Sequence, residues 1–222
     1  MPRVTATVFF AFAVAACARS PVPCTSAGAC PSDSECLANR CVPLGSDPVS
    51  LDTRRIVLSP SEIAVVSARG GQDSALGALP ASVTFGGASD GASALYLRFE
   101  PRWRGARQID TAFLLLDPLP GAAADAADVS VEAWRIASDW ERGGLSWVRQ
   151  PRRAPPYARG LARSSVPAPL RIDVTEIVRH WHEHARSERG LVVESCSGDA
   201  FGASFATGAS GGAAPRLDLY VR

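Results

Sequence analysis

The sequence has no lysine, and all 23 of its basic residues are arginine. Asparagine occurs once, at Asn39, while alanine and glycine are abundant. That bias is the mark of a GC-rich bacterial genome and carries little mechanism. Net charge is also missing: 23 basic residues face 22 acidic ones. Without a global field there is no general attraction for nucleic acid or an anionic membrane surface, so any polyanion site must be a local patch. No apolar run reaches the roughly 20 residues that a membrane-spanning helix needs. There is no Cys-x-x-Cys pair, which argues against a zinc knuckle, and no glycine-rich phosphate loop. What is present, 222 residues with 46% apolar and 20% charged side chains, is the composition of a globular protein. It is too apolar for a chain that stays disordered.

Met1-Pro2-Arg3 leads into an uncharged stretch, Val4 to Ala16, and then Cys17. A stretch of this length suits the apolar core of a secretory signal. Val14-Ala15-Ala16-Cys17 resembles the lipobox of bacterial lipoproteins, in which the cysteine is diacylated and becomes the new N-terminus. The resemblance implies a signal peptide at 1–16 and a lipid anchor at Cys17. The alternative is ordinary cleavage near Ala16, which leaves a secreted protein. The expected address is the bacterial cell envelope, as an outer-membrane lipoprotein, or else secretion; Ala18 merely lacks the aspartate associated with inner-membrane retention in some bacteria, which leaves membrane and leaflet open.

Four cysteines follow close together: Cys24, Cys30, Cys36 and Cys41. In an exported chain such density reads as a disulfide framework, because a segment this short buries too little apolar surface to hold itself together. Two bridges are expected, with three pairings open. Cys196 stands alone and reads as a buried, inert thiol. Gly45-Ser46-Asp47-Pro48 reads as a linker or turn, which places a cysteine-rich segment at 17–50 and a large domain at 51–222.

In that domain, turn signals separate short β-rich runs. Ala94 to Glu100 alternates apolar and polar, as a strand with one buried face must. Further strands are predicted at Ile63–Ser67, Ile109–Leu116, Val129–Ile136, Leu170–Val174, Gly190–Cys196, Phe201–Ala206 and Leu217–Val221. Many short strands with one helical interruption suggest an all-β sandwich. The helix is predicted to start at Asp173 as cap, with Glu176 reaching back in a capping box. It would bury Val174, Ile177, Val178, Trp181 and Ala185 on one face.

Ala94 to Glu100, Ala112 to Asp117, Trp140-x6-Trp147-x3-Pro151, Asp173-Val174-Thr175 with Trp181, Arg189 to Val193, and Ala214-Pro215-Arg216-Leu217 together resemble the DNRLRE domain. That family is grouped in part with carbohydrate-binding module family 96. The resemblance spans about Glu62 to Arg222. It implies a jelly-roll β-sandwich, Trp140 and Trp147 packing structurally, and a surface or polysaccharide-associated role. The catalytic domain that often accompanies such modules is not seen here.

Three further patterns bear on chemistry. His180, His182 and His184 are the only histidines; on a helix the first and last share a face and His182 turns away, so three-histidine metal ligation is not expected. Gly87-Ala88-Ser89-Asp90-Gly91 and Gly208-Ala209-Ser210-Gly211-Gly212 match Gly-x-Ser-x-Gly, but neither has the strand-to-helix setting of a nucleophile. From Arg142 to Arg171 there are seven arginines and no acidic residue, with Trp147 and Tyr157 interleaved. Read as a proline-rich loop, this segment offers Arg149, Arg152, Arg153, Tyr157, Arg159 and Arg163 as ligands for a polysaccharide, acidic ones included. Guanidinium groups pair with carboxylates and aromatic rings stack on sugar faces. No acid/base pair or metal set is identifiable, so neither an enzyme nor a cofactor is expected. The expectation is a non-catalytic envelope module that binds polysaccharide, or a structural module that contacts other envelope proteins.

Overall fold

A computed structural model describes residues 24, 30, 34–37, 40–43, 53–68, 78–86, 92–119, 128–162, 169–195, 202–209 and 213–222. The signal segment 1–16, Cys17, the linker at Gly45 to Pro48, Arg163 and Cys196 lie outside the described residues. The chain divides into two compact units, Met1–Leu51 and Asp52–Arg222.

In the first unit, β1 (Ser34–Leu37) and β2 (Arg40–Pro43) form an antiparallel hairpin that sets Cys36 opposite Cys41. Cys30 and Cys41 form a disulfide, with Cα atoms 5.3 Å apart. Cys24 is buried and also disulfide-bonded. The sulfurs of Cys24, Cys30 and Cys41 lie within 4.8 Å of one another. Being oxidised, they are cross-links rather than thiolate metal ligands.

The second unit contains β3 (Arg54–Leu58), β4 (Pro60–Ser67), β5 (Ser82–Gly86), β6 (Ser93–Phe99), β7 (Ile109–Leu116) and β8 (Val129–Ile136). After these come β9 (Arg153–Ala162), β10 (Leu170–Asp173), α1 (Thr175–Glu183), β11 (Leu191–Ser195), β12 (Gly202–Ala206) and β13 (Arg216–Val221). One sheet has the order β10-β7-β13-β3 and the other β4-β6-β11-β8-β9, and β5 with β12 forms a two-stranded ribbon. Every pairing is antiparallel. With β4 set aside as an added edge strand, β3, β13, β7 and β10 face β6, β11, β8 and β9 in the strand order of a jelly roll. The all-β sandwich with one short helix is therefore the architecture adopted. β3 and β13 are partners, with Arg54 opposite Val221.

Period-two alternation builds the core. Ala112, Leu114 and Leu116 of β7, Leu217, Leu219 and Val221 of β13, and Val129, Val131 and Ala133 of β8 are all buried in one cluster. Leu95, Leu97 and Phe99 of β6 join it, as do Trp103 and, from α1, Ile177, Val178 and Trp181. A second apolar cluster forms on the outer face of the five-stranded sheet. There the β8–β9 connection lays Trp140 and Leu145 over Ala64, Val66, Ala94, Tyr96 and Val192. Trp134 and Trp147 pack at its margin, half-buried. Arg98 braces this layer: its guanidinium lies 4.5 Å from the Trp140 ring centroid and donates to the Trp140 carbonyl oxygen and to Glu62.

Two details of the helix differ from expectation. Its cap is Val174, one residue past Asp173. The Asp173 carboxylate instead accepts from the Thr175 backbone N–H and hydroxyl, and Glu176 pairs with Arg179 at 2.8 Å rather than reaching back. The chain cannot turn helical at Asp173 because that residue still pairs with Phe113 in the sheet. Ala185 is exposed, since the helix ends at Glu183 and a single 3-10 turn follows.

Candidate ligand-binding surface

The segment read from the sequence as a loop is mostly strand. Arg153–Ala162 is β9, the edge of the five-stranded sheet, paired with β8 alone among the described residues. The prolines suggested a loop, but Pro155 and Pro156 sit where the register shifts, between the Trp134–Tyr157 and Arg135–Ala154 pairs. An edge strand tolerates them because one side has no ladder to complete.

Strand alternation then sorts the side chains. Ala158, Gly160 and Ala162 face the core; a Cβ on Gly160 would lie 2.7 Å from Ile172 Cγ1. Tyr157, Arg159 and Leu161 face outward and are exposed. On β8 the outward residues are Ser130, Glu132 and Trp134. Registered pairing places Trp134 opposite Tyr157 and Glu132 opposite Arg159. The Trp134 and Tyr157 rings stack, with centroids 4.3 Å and planes 16° apart. Glu132 accepts from Trp134 Nε1 and from Arg159 Nε, each at 2.9 Å. The Arg159 guanidinium lies 5.6 Å from the Tyr157 ring centroid.

The polar ladder continues onto β11, where Glu194 is registered beside Glu132. Arg153 pairs with Glu194 and donates to Gln150 Oε1 at 2.7 Å. That same oxygen accepts from the Tyr96 hydroxyl at 2.9 Å. Burial pushes the Tyr96 phenol up to about 12, the nearby Arg153 charge opposing it. Burial also raises the Glu194 carboxyl above its ordinary value, against the attraction of Arg153 and with help from Glu132.

Gln150 joins this ladder to an open depression of about 460 Å³, whose walls include Asp139, Trp140, Glu141, Leu145 and Arg149. Ser138 also lines it, and its hydroxyl accepts from the Arg152 backbone N–H at 2.9 Å. Arg149 and Arg152 are exposed and make no side-chain ion pair among the described residues.

Five of the six ligand candidates therefore fall on or beside one face, and Arg163 lies outside the described residues. The charge imbalance seen along the sequence is largely cancelled in space. Glu132 and Glu194 compensate Arg159 and Arg153, while Asp139 and Glu141 share the depression with Arg149. Arg171 belongs to β10 on the opposite sheet, its guanidinium 3.6 Å from the Phe113 ring centroid. Sequence reasoning missed Trp134, Glu132, Glu194 and Gln150. The legible signal was Trp134 itself, a large aromatic on the polar face of an alternating strand. Ser89 and Ser210, centres of the Gly-x-Ser-x-Gly matches, lie outside the described residues. Among the described residues no helix is long and apolar enough to cross a membrane.

Scanned against protein-family models the chain matches none, and no curated protein matches its sequence.

Proposed function

We propose that this chain is a non-catalytic module of the bacterial cell envelope that binds polysaccharide on the outer face of its five-stranded sheet. The carrying observation is the Trp134–Tyr157 pair: two stacked rings on the outward face of β8 and the edge strand β9, with Tyr157 44% exposed. An aromatic face offers a sugar ring an apolar platform, and the flanking carboxylates, amide and guanidinium groups supply hydrogen bonds to hydroxyls. Arg149 and Arg152 are the cations that an acidic polymer would meet. The jelly-roll strand order supports kinship with the DNRLRE domain. The lipobox-like Val14 to Cys17 supports anchoring by acyl chains on Cys17, which at about 0.8 kcal/mol per buried methylene hold a protein on a membrane.

The test is calorimetric titration with neutral and with uronate-rich polysaccharides. Tyr157→Ala should weaken binding by up to about tenfold, the upper end of what one aromatic contact supplies. The double change Arg149→Gln, Arg152→Gln should weaken binding of acidic polymers alone and remove its salt dependence. No binding to either class, or none sensitive to Tyr157, favours a structural module that contacts other envelope proteins. Anchoring is tested separately by Cys17→Ser, which should move the protein from the detergent phase to the aqueous one.

A further inference from the structure

The last turn of α1 and its cap carry two histidines in one column. His180 and His184 are four residues apart, so the helical turn stacks one over the other. Their ring centroids lie 4.5 Å apart with planes 21° from parallel. We propose that this pair is a binding site for a divalent transition metal of the zinc, nickel or copper kind, held by one ring nitrogen of each histidine.

Hydrogen bonding fixes the ligand atom on His184. Its Nδ1 lies 3.1 Å from the His180 carbonyl oxygen. A carbonyl only accepts, so Nδ1 carries the proton and the neutral ring keeps its lone pair on Nε2. Metal-ligating histidines take this arrangement, one nitrogen tied to a backbone carbonyl and the other turned to the ion. Access is open, since His184 is exposed and His180 half-buried. The position is the C-terminal end of the helix, where the backbone dipole favours a cation.

Coordination bonds of about 2.0–2.1 Å at a tetrahedral ion place two ligating nitrogens roughly 3.3 Å apart. From the stacked arrangement that needs the two rings to tilt toward each other. Paired histidines at i and i+4 are the two-imidazole half of helical metal motifs. Imidazole donors select zinc, copper and nickel over magnesium and calcium. Water would complete the coordination shell. His182, two residues from each, lies on another side of the helix and serves as the control.

The experiment titrates the untagged full-length chain with nickel chloride by calorimetry, with circular dichroism and metal-free melting confirming each variant's fold. His184→Gln and His180→Gln should each weaken binding by about tenfold or more, since even partners behind the ligands cost 10–100-fold. His182→Gln should leave binding unchanged. Equal loss in His182→Gln, or wild-type binding no tighter than that of the His180→Gln, His184→Gln double variant, overturns the site. Because His184 is exposed, its single variant remains informative should His180→Gln prove unstable.

Discussion

Trp103 and Trp181 lie nearly parallel in the core, ring centroids 6.1 Å and planes 22° apart. One comes from the segment after β6 and the other from α1, so the pair ties the helix to the sandwich. The Trp181 ring N–H is buried without a hydrogen-bond partner. Trp181→Ala should therefore cost about 3–5 kcal/mol, as large aromatic deletions in cores do. Trp181→Phe should cost clearly less, because it keeps most of the ring contact and removes the orphaned donor. Urea denaturation of both variants checks this; equal losses would mean that the indole N–H is satisfied.

Gly190 precedes β11 with φ of +89°, and a Cβ there would lie 2.3 Å from the Leu97 carbonyl oxygen. Both the left-handed backbone and the clash with main chain count against any other residue. Gly190→Ala should cost more than about 2 kcal/mol. The readout is the denaturation midpoint, and an unchanged midpoint would mean that β6 and β11 can separate cheaply.

The Cys30–Cys41 bridge closes a loop with a sequence separation of 11. Under a chain-entropy account a loop of about this size contributes about 3 kcal/mol. Cys30→Ser paired with Cys41→Ser should loosen the cysteine-rich segment to proteolysis while leaving the sandwich's main melting transition in place. Peptide mapping of the unreduced protein should recover the Cys30 and Cys41 peptides as one linked species.

Burial pushes the Glu188 carboxyl above 4.5 despite the attraction of Arg104, Arg98 and Arg189, and its Oε1 is buried without a partner. The folded state then binds this proton more readily than the unfolded state. Between pH 4.5 and the folded value, stability therefore falls as pH rises, and above that range the full penalty applies. Glu188→Gln should raise the melting temperature relative to wild type at pH 7, with that advantage shrinking toward pH 4. An advantage independent of pH would trace to packing instead.

Strands carried by a run of apolar residues or by clean alternation, such as β7 and β8, were legible to the residue. Those without that signature were not. β3 reads Arg54-Arg55-Ile56-Val57-Leu58, with both arginines exposed at a sheet edge, and β5 is short and, among the described residues, paired only with β12. β9 was hidden by its prolines and arginines, and with it went the true character of the candidate surface. A window along the chain sees seven arginines and no acid; it cannot see that the acids arrive from β8 and β11 across the ladder. The helix was legible in its apolar face, but its first residue was decided by the sheet, which holds Asp173 one position longer than the local capping pattern suggests.

The pairing of β3 with β13 sets Arg54 beside Val221, so the sandwich's chain enters and leaves at the same end of one sheet. A pull applied between these two ends would not slide the strands past each other. It would peel them apart, opening the ladder one rung after another, since antiparallel bonds lie across the strands and load singly in that direction. A chain held from its N-terminal side and gripped through β9 takes the load across both sheets, yet the force still enters at Arg54 and passes first through the seam that ties β3 to β13.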